Sequence, residues 1–266
     1  MKFFTTKEVE KLTGKLQKSD WTAVIPAAGR GSRLGHDQPK VLYPILGRPI
    51  LDWLIDLLTP FCRELVFVLS PDGAAIIKPL LEKRLPGRYQ IVIQAEPTGM
   101  ADAINRGSAV VTTENIVSIW GDQAGVAPTT VKRLLSLHQN EPTARLTLPL
   151  SEQKKPYIHY QTDQNGLLTG VLKSRESDPM PPVGLADSGI FALKTAALRH
   201  ALKDAKRRGL GYTGLTKEWD FVLLFPYLET GGQSIQAFPL GAAEQTISVN
   251  TKEEAELLEN YLKKRR

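Results

Sequence analysis

The sequence predicts an α/β fold in which a single mixed, mostly parallel sheet is flanked by helices and carries an inserted antiparallel lobe. Two observations predict it. In the first half of the chain, short apolar runs of strand composition alternate with segments of helical periodicity, which is typical of parallel strands joined by crossover helices. In the middle, two strand-like segments flank Asp163-Gln164-Asn165-Gly166, and an Asn-Gly pair favours a hairpin.

The individual elements follow in order along the chain. Thr5 and Glu8 have the spacing of a capping box and start a short N-terminal helix, so residues 1–20 are predicted to be a helical extension and residues 21–266 the main domain. The predicted strands are residues 21–25, 64–70, 89–94, 115–120, 145–150, 157–162, 168–174, 186–192 and 233–239. The predicted helices are residues 49–61, 74–85, 99–111, 128–138, 195–208, 217–230 and a last helix from the capping box Thr251/Glu254 to the C-terminus.

Charge and composition limit the classes of partner. The chain of 266 residues has a net charge of +6, which suits anionic partners. The basic runs at 206–208 and 263–266 lie near predicted helix C-termini, where they complement the helix dipole, so we expect no nucleic-acid binding. No apolar run approaches the ~18 residues of a membrane span, and no signal peptide is evident. With Cys62 as its single cysteine, the chain is expected in the cytoplasm and away from membranes.

A glycine-rich loop gives the strongest chemical signal. Residues 27–35 read Ala-Ala-Gly-Arg-Gly-Ser-Arg-Leu-Gly directly after the first strand, and Pro39-Lys40 follow. Glycines at a strand end let backbone N–H groups turn toward an anion. A guanidinium at Arg33 and an ammonium at Lys40 add positive charge for triphosphate oxygens. The loop therefore predicts a nucleotide phosphate site that includes Ala27, Ala28, Gly29 and Gly31.

Two common phosphate loops do not match this pattern. A Walker A loop requires Gly-Lys-Ser/Thr, which is absent from the segment. A dinucleotide fingerprint requires a third glycine where Leu34 stands, which disfavours a nicotinamide oxidoreductase.

The loop, together with later segments, resembles the sugar-phosphate nucleotidyltransferase family. It is most similar to the N-acetylglucosamine-1-phosphate uridylyltransferase domain, a UDP-sugar pyrophosphorylase, without the β-helix acetyltransferase part. The segments that carry the resemblance keep the family's order: residues 24–33, 39–42, 94–100, 120–122, 187–190 and 249–250. The resemblance implies the Rossmann-like nucleotide-diphospho-sugar transferase fold, with a nucleotide-binding half over about 21–150 and a sugar-binding half over about 151–250.

The resemblance also implies an activity and its residues. A nucleotidyl group, UMP from UTP, would pass to a sugar 1-phosphate with release of pyrophosphate, and Arg33 and Lys40 would be catalytic. Mg²⁺ would be held by Asp122 and Asn250, because this hard cation prefers oxygen ligands. Gln94 and Gly99 would hold the uracil, although Met100 stands where the family usually has threonine.

The sugar side departs further from the family. The resemblance places Tyr157, Lys173 and Asp187 at the acceptor, yet Lys173 stands where relatives carry glutamate and Asp187 where they carry asparagine. Reversing a charge in a sugar pocket changes which group fits, so Lys173 is expected to face a carboxylate or second phosphate of the acceptor. The chain has no hexapeptide repeats, so we expect neither acetyltransferase activity nor trimerisation through a β-helix.

The sequence is also compatible with other functions. The same loop serves nucleotidyltransferases that use another base or a non-sugar acceptor of the phosphocholine, isoprenoid or molybdopterin type. A non-catalytic sugar-nucleotide sensor would keep the fold but lose Lys40 or Asp122, and both are present. The sequence does not specify an oligomeric state.

Overall fold

The alternation of strands and helices is present in the computed structural model, which describes residues 1–12, 16–35, 37–229, 234–241 and 247–265. The strands are β1 (Lys2–Phe3), β2 (Trp21–Pro26), β3 (Pro44–Ile45), β4 (Arg48–Pro49), β5 (Glu64–Leu69), β6 (Tyr89–Ile93), β7 (Asn115–Ile119), β8 (Leu146–Lys154), β9 (Ile158–Thr162), β10 (Leu168–Lys173), β11 (Val183–Asp187), β12 (Ile190–Lys194) and β13 (Ile235–Pro239). The helices are α1 (Thr6–Glu10), α2 (Ile50–Leu58), α3 (Pro71–Arg84), α4 (Met100–Ala109), α5 (Pro128–Asn140), α6 (Thr195–Arg208) and α7 (Lys252–Arg265).

The main sheet is mixed and mostly parallel, which confirms the predicted fold class. Its strands lie in the order β1-β13-β8-β12-β7-β2-β5-β6, and β11 also pairs with β8. Strand β2 is parallel to β5 and β7, and β5 is parallel to β6. Strand β12 runs antiparallel to both of its neighbours in the sheet. It lies between β7, from the first half of the chain, and β8, from the second half.

The central strands are apolar on both faces because helices cover both sides of the sheet. Every residue of β2 is buried, as is typical of parallel strands with two covered faces. Ala23, Ile25 and Phe67 belong to one hydrophobic core, whereas Val24 and Val66 belong to the core on the opposite face. This alternation follows from the two-residue period of a strand.

The antiparallel lobe is the hairpin of β9 and β10. At its turn, the side chain of Asp163 accepts backbone hydrogen bonds from Asn165 and Leu167, and Gly166 has φ +75°. The hairpin predicted from the Asn-Gly pair is therefore present, and its glycine has the positive φ on which the prediction relied.

The N-terminal segment differs from the predicted helical extension over 1–20. Its helix is α1, with the predicted capping box of Thr5 and Glu8, but β1 precedes the helix and pairs with β13 in the main sheet. Val9 of α1 is buried, so the segment docks on its own chain. A strand of two residues is too short to produce a periodic sequence signal.

The predicted helix over 217–230 is wrong within the described residues. Lys217 has φ +56°, and the backbones of Tyr212 and Trp219 form an antiparallel bridge. A 3-10 helix then runs over Val222–Leu228 with Pro226 inside it. Proline lacks the N–H that an α-helix requires, and the apolar residues of this segment are buried by the 3-10 helix instead. Thr230 lies outside the described residues.

Two predicted strands have different bounds. The strand over 186–192 is split into β11 and β12 by Ser188 and Gly189, and Gly189 has φ +67°. Strand β13 begins at Ile235, and Gln233 lies outside the described residues.

Helices α3, α6 and α7 agree more closely with the helices predicted from the sequence. Helix α3 continues through Pro79, and the basic run 206–208 forms the last turn of α6. Helix α7 is described to Arg265, so Arg266 of the second basic run lies outside the described residues. None of the helices described is both long enough and apolar enough for a membrane crossing.

Candidate active site

A pocket of about 310 Å³ opens where β2, β6 and β7 end. In open α/β sheets, ligands bind outside the carboxyl ends of the strands, which is where this pocket lies. The predicted site residues that line it are Ala27, Ala28, Gly29, Lys40, Gln94, Gly99 and Asp122.

The glycine-rich loop brings Lys40 back to the strand from which the loop departs. The backbone N–H of Lys40 donates to the carbonyl of Gly29 over 3.1 Å. Gly31 has φ +66°, and a Cβ there would lie 3.3 Å from the Cα of Lys40. The close return of the chain therefore depends on glycine at position 31, and it points the Lys40 side chain into the pocket.

Lys40, Asp122 and Asn250 meet at one point although they are far apart in sequence. The Nζ of Lys40 donates to Oδ2 of Asp122 over 2.7 Å and to Oδ1 of Asn250 over 2.8 Å. The side chains of Lys40 and Asp122 are 18% and 19% exposed, so water screens this pair only partly. The structure thus joins the lysine that follows the glycine-rich loop to both predicted metal ligands.

Backbone contacts fix the positions of Asp122 and Asn250. Gly121 approaches the end of β2 so closely that a Cβ would lie 2.8 Å from the carbonyl oxygen of Pro26. The N–H of Val249 donates to the carbonyl of Asp122 over 3.2 Å, which places Asn250 beside it. Glu254 accepts a backbone hydrogen bond from Asn250 over 2.6 Å as part of the predicted capping box.

The donor set suits a hard divalent cation. Oδ1 of Asp122 is buried and lacks a hydrogen-bond partner among the described residues, while Oδ2 accepts from the Lys40 ammonium. Oδ1 of Asn250 points at the same ammonium. The described residues include no cluster of three or more acidic, histidine or cysteine side chains, so the protein itself offers few ligands. Mg²⁺ is commonly bound by one or two protein oxygens together with substrate phosphates and water.

The other end of the pocket is built around Gln94 and Gly99. Nε2 of Gln94 donates to the carbonyl of Gly99 over 3.1 Å and to Oδ2 of Asp102 over 3.0 Å. Gly99 has φ +113°, and a Cβ there would lie 2.4 Å from the carbonyl oxygen of Trp219. No residue other than glycine fits this position without moving the backbone of the segment around Trp219.

Asp102 stays ionised beneath Gln94. Burial acts to raise the pKa of Asp102, but hydrogen bonds from Arg106, Thr98 and Gln94 hold it below its usual value. Arg106 reaches the carboxylate over 2.7 Å, one helical turn away in α4. The Gln94 amide is therefore held by a fixed negative charge.

The predicted acceptor residues do not line the pocket, and two of them, Lys173 and Asp187, have partners within the chain. Lys173 forms an ion pair with the buried Asp220, so its ammonium already has a counter-charge. Asp187 accepts from the Tyr160 hydroxyl over 2.7 Å and from the backbone of Gly189 over 2.7 Å. Burial raises the pKa of Asp187, and the nearby Asp220 carboxylate adds to the shift.

Tyr157 and Arg33 are exposed and lie outside the pocket that the described residues form. Tyr157 is 58% exposed at the base of the β9–β10 hairpin. Arg33 is exposed on a 3-10 turn over Ser32–Leu34 and does not line the pocket as the described residues form it. Their roles stay predictions.

Sequence reasoning missed one ionisable residue of the pocket. Glu218 lines it beside Gly99, from the segment that was wrongly predicted to be helical. No sequence motif surrounds Glu218. The preceding residue, Lys217, has a left-handed backbone conformation, which is uncommon for a residue other than glycine and therefore not predictable from the sequence.

Comparison with known proteins supports the resemblance. The family model of the MobA-like NTP transferase domain matches residues 23–209. Proteins named bifunctional protein GlmU are among the relatives. The one from Pelotomaculum thermopropionicum is 24% identical over 251 residues, 92% of this chain and 53% of the relative. That from Thermodesulfovibrio yellowstonii is 28% identical over 249 residues, 91% of this chain and 52% of the relative.

A third relative matches a shorter segment. The bifunctional protein GlmU from Zymomonas mobilis is 28% identical over 179 residues, 65% of this chain and 40% of the relative. The chain therefore spans about half of the length of these relatives, or less. Because the family model covers more than half of the chain and the sheet and loop agree with it, the chain belongs to the family of MobA-like NTP transferase domains.

Proposed function

We propose that this nucleotidyltransferase domain transfers a nucleotidyl group from a nucleoside triphosphate to a sugar 1-phosphate. An oxygen of the acceptor phosphate attacks the α-phosphorus, the bond between that phosphorus and the bridging oxygen to the β-phosphate breaks, and pyrophosphate leaves. The resemblance to sugar-phosphate nucleotidyltransferases implies UTP as the donor. We place the reaction in the cytoplasm, in keeping with the single buried cysteine.

The observation that carries the proposal is the meeting of Lys40, Asp122 and Asn250 beside the glycine-rich loop. Two anions must approach each other in this reaction, so the protein's task is to neutralise charge and align the reacting groups. The Lys40 ammonium lies at the pocket wall, where it can take phosphate oxygens in exchange for its present carboxylate and amide partners. A sensor that only bound a sugar nucleotide would not require an ammonium held against a carboxylate with one unpartnered oxygen.

Mg²⁺ is the cofactor we propose, with Asp122 and Asn250 as its protein ligands. When bound, the ion would supply positive charge to the triphosphate. The unpartnered Oδ1 of Asp122 and the nearby Oδ1 of Asn250, which accepts from the same ammonium as Asp122, support this assignment. The chain's own part is to hold these oxygens through Gly121 and the α7 capping box.

The acceptor cluster argues against the acidic acceptor that Lys173 suggested. Because the Lys173 ammonium is paired with Asp220, the cluster of Lys173, Asp220 and Asp187 carries no free positive charge. We therefore propose an acceptor that is neutral apart from its phosphate.

The test is pyrophosphate release with Mg²⁺ across the common nucleoside triphosphates and a panel of neutral and acidic sugar 1-phosphates. Phosphocholine and other non-sugar phosphates belong in the same panel. We expect release that requires one triphosphate, one sugar phosphate and Lys40, and that is lost in Lys40→Ala. Release with a non-sugar phosphate alone, or full activity of Lys40→Ala, would contradict the proposal.

A further inference from the structure

A second cleft lies at the opposite end of the main sheet from the pocket that contains Lys40, the reaction pocket. This amino-end cleft has a volume of about 660 Å³ and opens where β2, β5 and β6 begin. The residues that line it include three cations, Lys18, Arg63 and Arg88, and one carboxylate, Glu64. None of these four residues lines the reaction pocket, so a ligand here would be separate from the reacting groups.

Backbone carbonyls, rather than a carboxylate, fix the guanidinium of Arg88 at this cleft. Its Nη2 donates to the carbonyls of Cys62 and Thr59 over 3.1 Å and 3.4 Å, and its Nε donates to the carbonyl of Arg63 over 3.3 Å. These neutral partners orient the group but leave its positive charge uncompensated. Its Nη1 has no hydrogen-bond partner among the residues that the structure describes, so two N–H bonds are available to a ligand.

Lys18 brings a second positive charge close to Arg88. Partial burial of the Lys18 ammonium and the nearby guanidinium of Arg88 lower the pKa of Lys18 below its usual value. Both charges also act on the buried thiol of Cys62, where they oppose the rise in pKa that burial causes. The two cations therefore repel each other, and an anion bound beside them would offset that repulsion.

The carboxylates near the cleft do not neutralise its cations. Nε2 of Gln90 donates to the carboxylate of Glu64 over 2.9 Å. Asp20 accepts a hydrogen bond from the adjacent serine hydroxyl over 2.9 Å. Within the part of the chain that the structure describes, the three cations that line the cleft form no ion pair. The cleft therefore has an excess of positive charge.

We propose that the amino-end cleft binds a small molecule that carries a phosphate group. A phosphate brings negative charge and several acceptor oxygens, which suit a fixed guanidinium with free N–H bonds beside a mobile ammonium. The volume of the cleft is in the range of small-molecule sites. Its cations are confined to one concave site and do not form a stripe along an element, which favours a small anion over a nucleic acid.

The test is equilibrium dialysis with inorganic pyrophosphate as the probe, without Mg²⁺ and without an acceptor. The double variant Lys18→Met/Arg63→Met removes two of the cations from the cleft. Lys78→Met/Lys203→Met is the matched control, since both lysines are exposed and line neither the cleft nor the reaction pocket. Lys40→Ala removes a cation from the reaction pocket and so separates binding there from binding at the cleft.

We expect Lys18→Met/Arg63→Met to lose a pyrophosphate site that wild type, Lys40→Ala and the control variant retain, with affinity there weaker by about tenfold or more. Neither replaced side chain has an ion-pair partner among the described residues, so the fold should not depend on them. Unchanged pyrophosphate binding in Lys18→Met/Arg63→Met, or an equal loss in the control variant, would overturn the assignment. Binding of a single-stranded oligonucleotide that requires the two cations, without binding of pyrophosphate, would overturn it in favour of a nucleic acid.

Discussion

Replacing Lys40 with methionine tests the cation between Asp122 and Asn250. The change keeps most of the aliphatic stem and removes an ammonium that lies 2.7 Å and 2.8 Å from the two oxygens. Both ionised side chains are less than one fifth exposed, so the carboxylate is left partly buried without its partner. We expect a loss of about 1 to 3 kcal/mol in the free energy of unfolding, and a thermal midpoint lower by about 2 to 6 °C.

Added Mg²⁺ should separate this explanation from a general packing defect. If Asp122 and Asn250 form a cation site, Mg²⁺ should raise the midpoint of Lys40→Met more than that of wild type, because it replaces the missing positive charge. Lys194→Met is the control, since the ammonium of Lys194 pairs with Glu114, whose side chain is 70% exposed. A surface pair of this kind contributes about 0 to 1 kcal/mol. Equal losses in the two variants, with no effect of Mg²⁺ on either, would refute the reasoning.

Three further predictions concern the backbone and the buried titratable groups. Gly99→Ala places a Cβ 2.4 Å from the carbonyl oxygen of Trp219, so it should lower the free energy of unfolding, measured with denaturant, by about 3 kcal/mol or more. Gly87→Ala, at a position with φ +68° and open space, should lower it by only about 1 to 2 kcal/mol. Equal losses in the two variants would show that the clash at Gly99 does not occur. Burial lowers the pKa of His138 from 6.5 to about 3, so between these pH values the unfolded chain binds a proton that the native chain does not. Stability should therefore fall as pH falls through this window, by up to about 1.4 kcal/mol per pH unit, and His138→Leu should flatten the profile. Burial raises the pKa of the Cys62 thiol to about 12, so a thiol reagent at pH 8 should label it only after unfolding, and rapid labelling of the native protein would contradict this.

Lys40 and Asp122, which the structure brings together, could be singled out as candidates from the sequence. Glycines directly after a strand, a lysine shortly beyond them and an aspartate at the end of another strand are local signals with a physical cause. The resemblance implied that Lys40 and Asp122 serve the same site, and the two side chains lie 2.7 Å apart. The role of Asn250 was implied by the resemblance, and the capping box that follows this residue is present in the structure.

The features that the sequence did not predict depend on contacts between segments that are distant in sequence. Lys173 was expected to meet an acceptor, but Asp220 pairs with it from a segment 47 residues away. Glu218 reaches the pocket because the backbone of Trp219 packs on Gly99, and neither the left-handed Lys217 nor that packing leaves a periodic pattern. The near-helical spacing of apolar residues within 217–230 predicts a helix, but Pro226 interrupts that segment and a 3-10 helix forms instead.

The central claim is that the α-phosphorus of a nucleoside triphosphate is transferred at this pocket. The most direct measurement follows isotopic label from the triphosphate that binds the protein, with a sugar 1-phosphate and Mg²⁺ present. We predict that label at the α-phosphate enters the sugar nucleotide and label at the γ-phosphate leaves in pyrophosphate, and that Lys40→Ala stops both. Label from the γ-position in the sugar product, or in free phosphate, would show a phosphoryl transfer instead and would contradict the account.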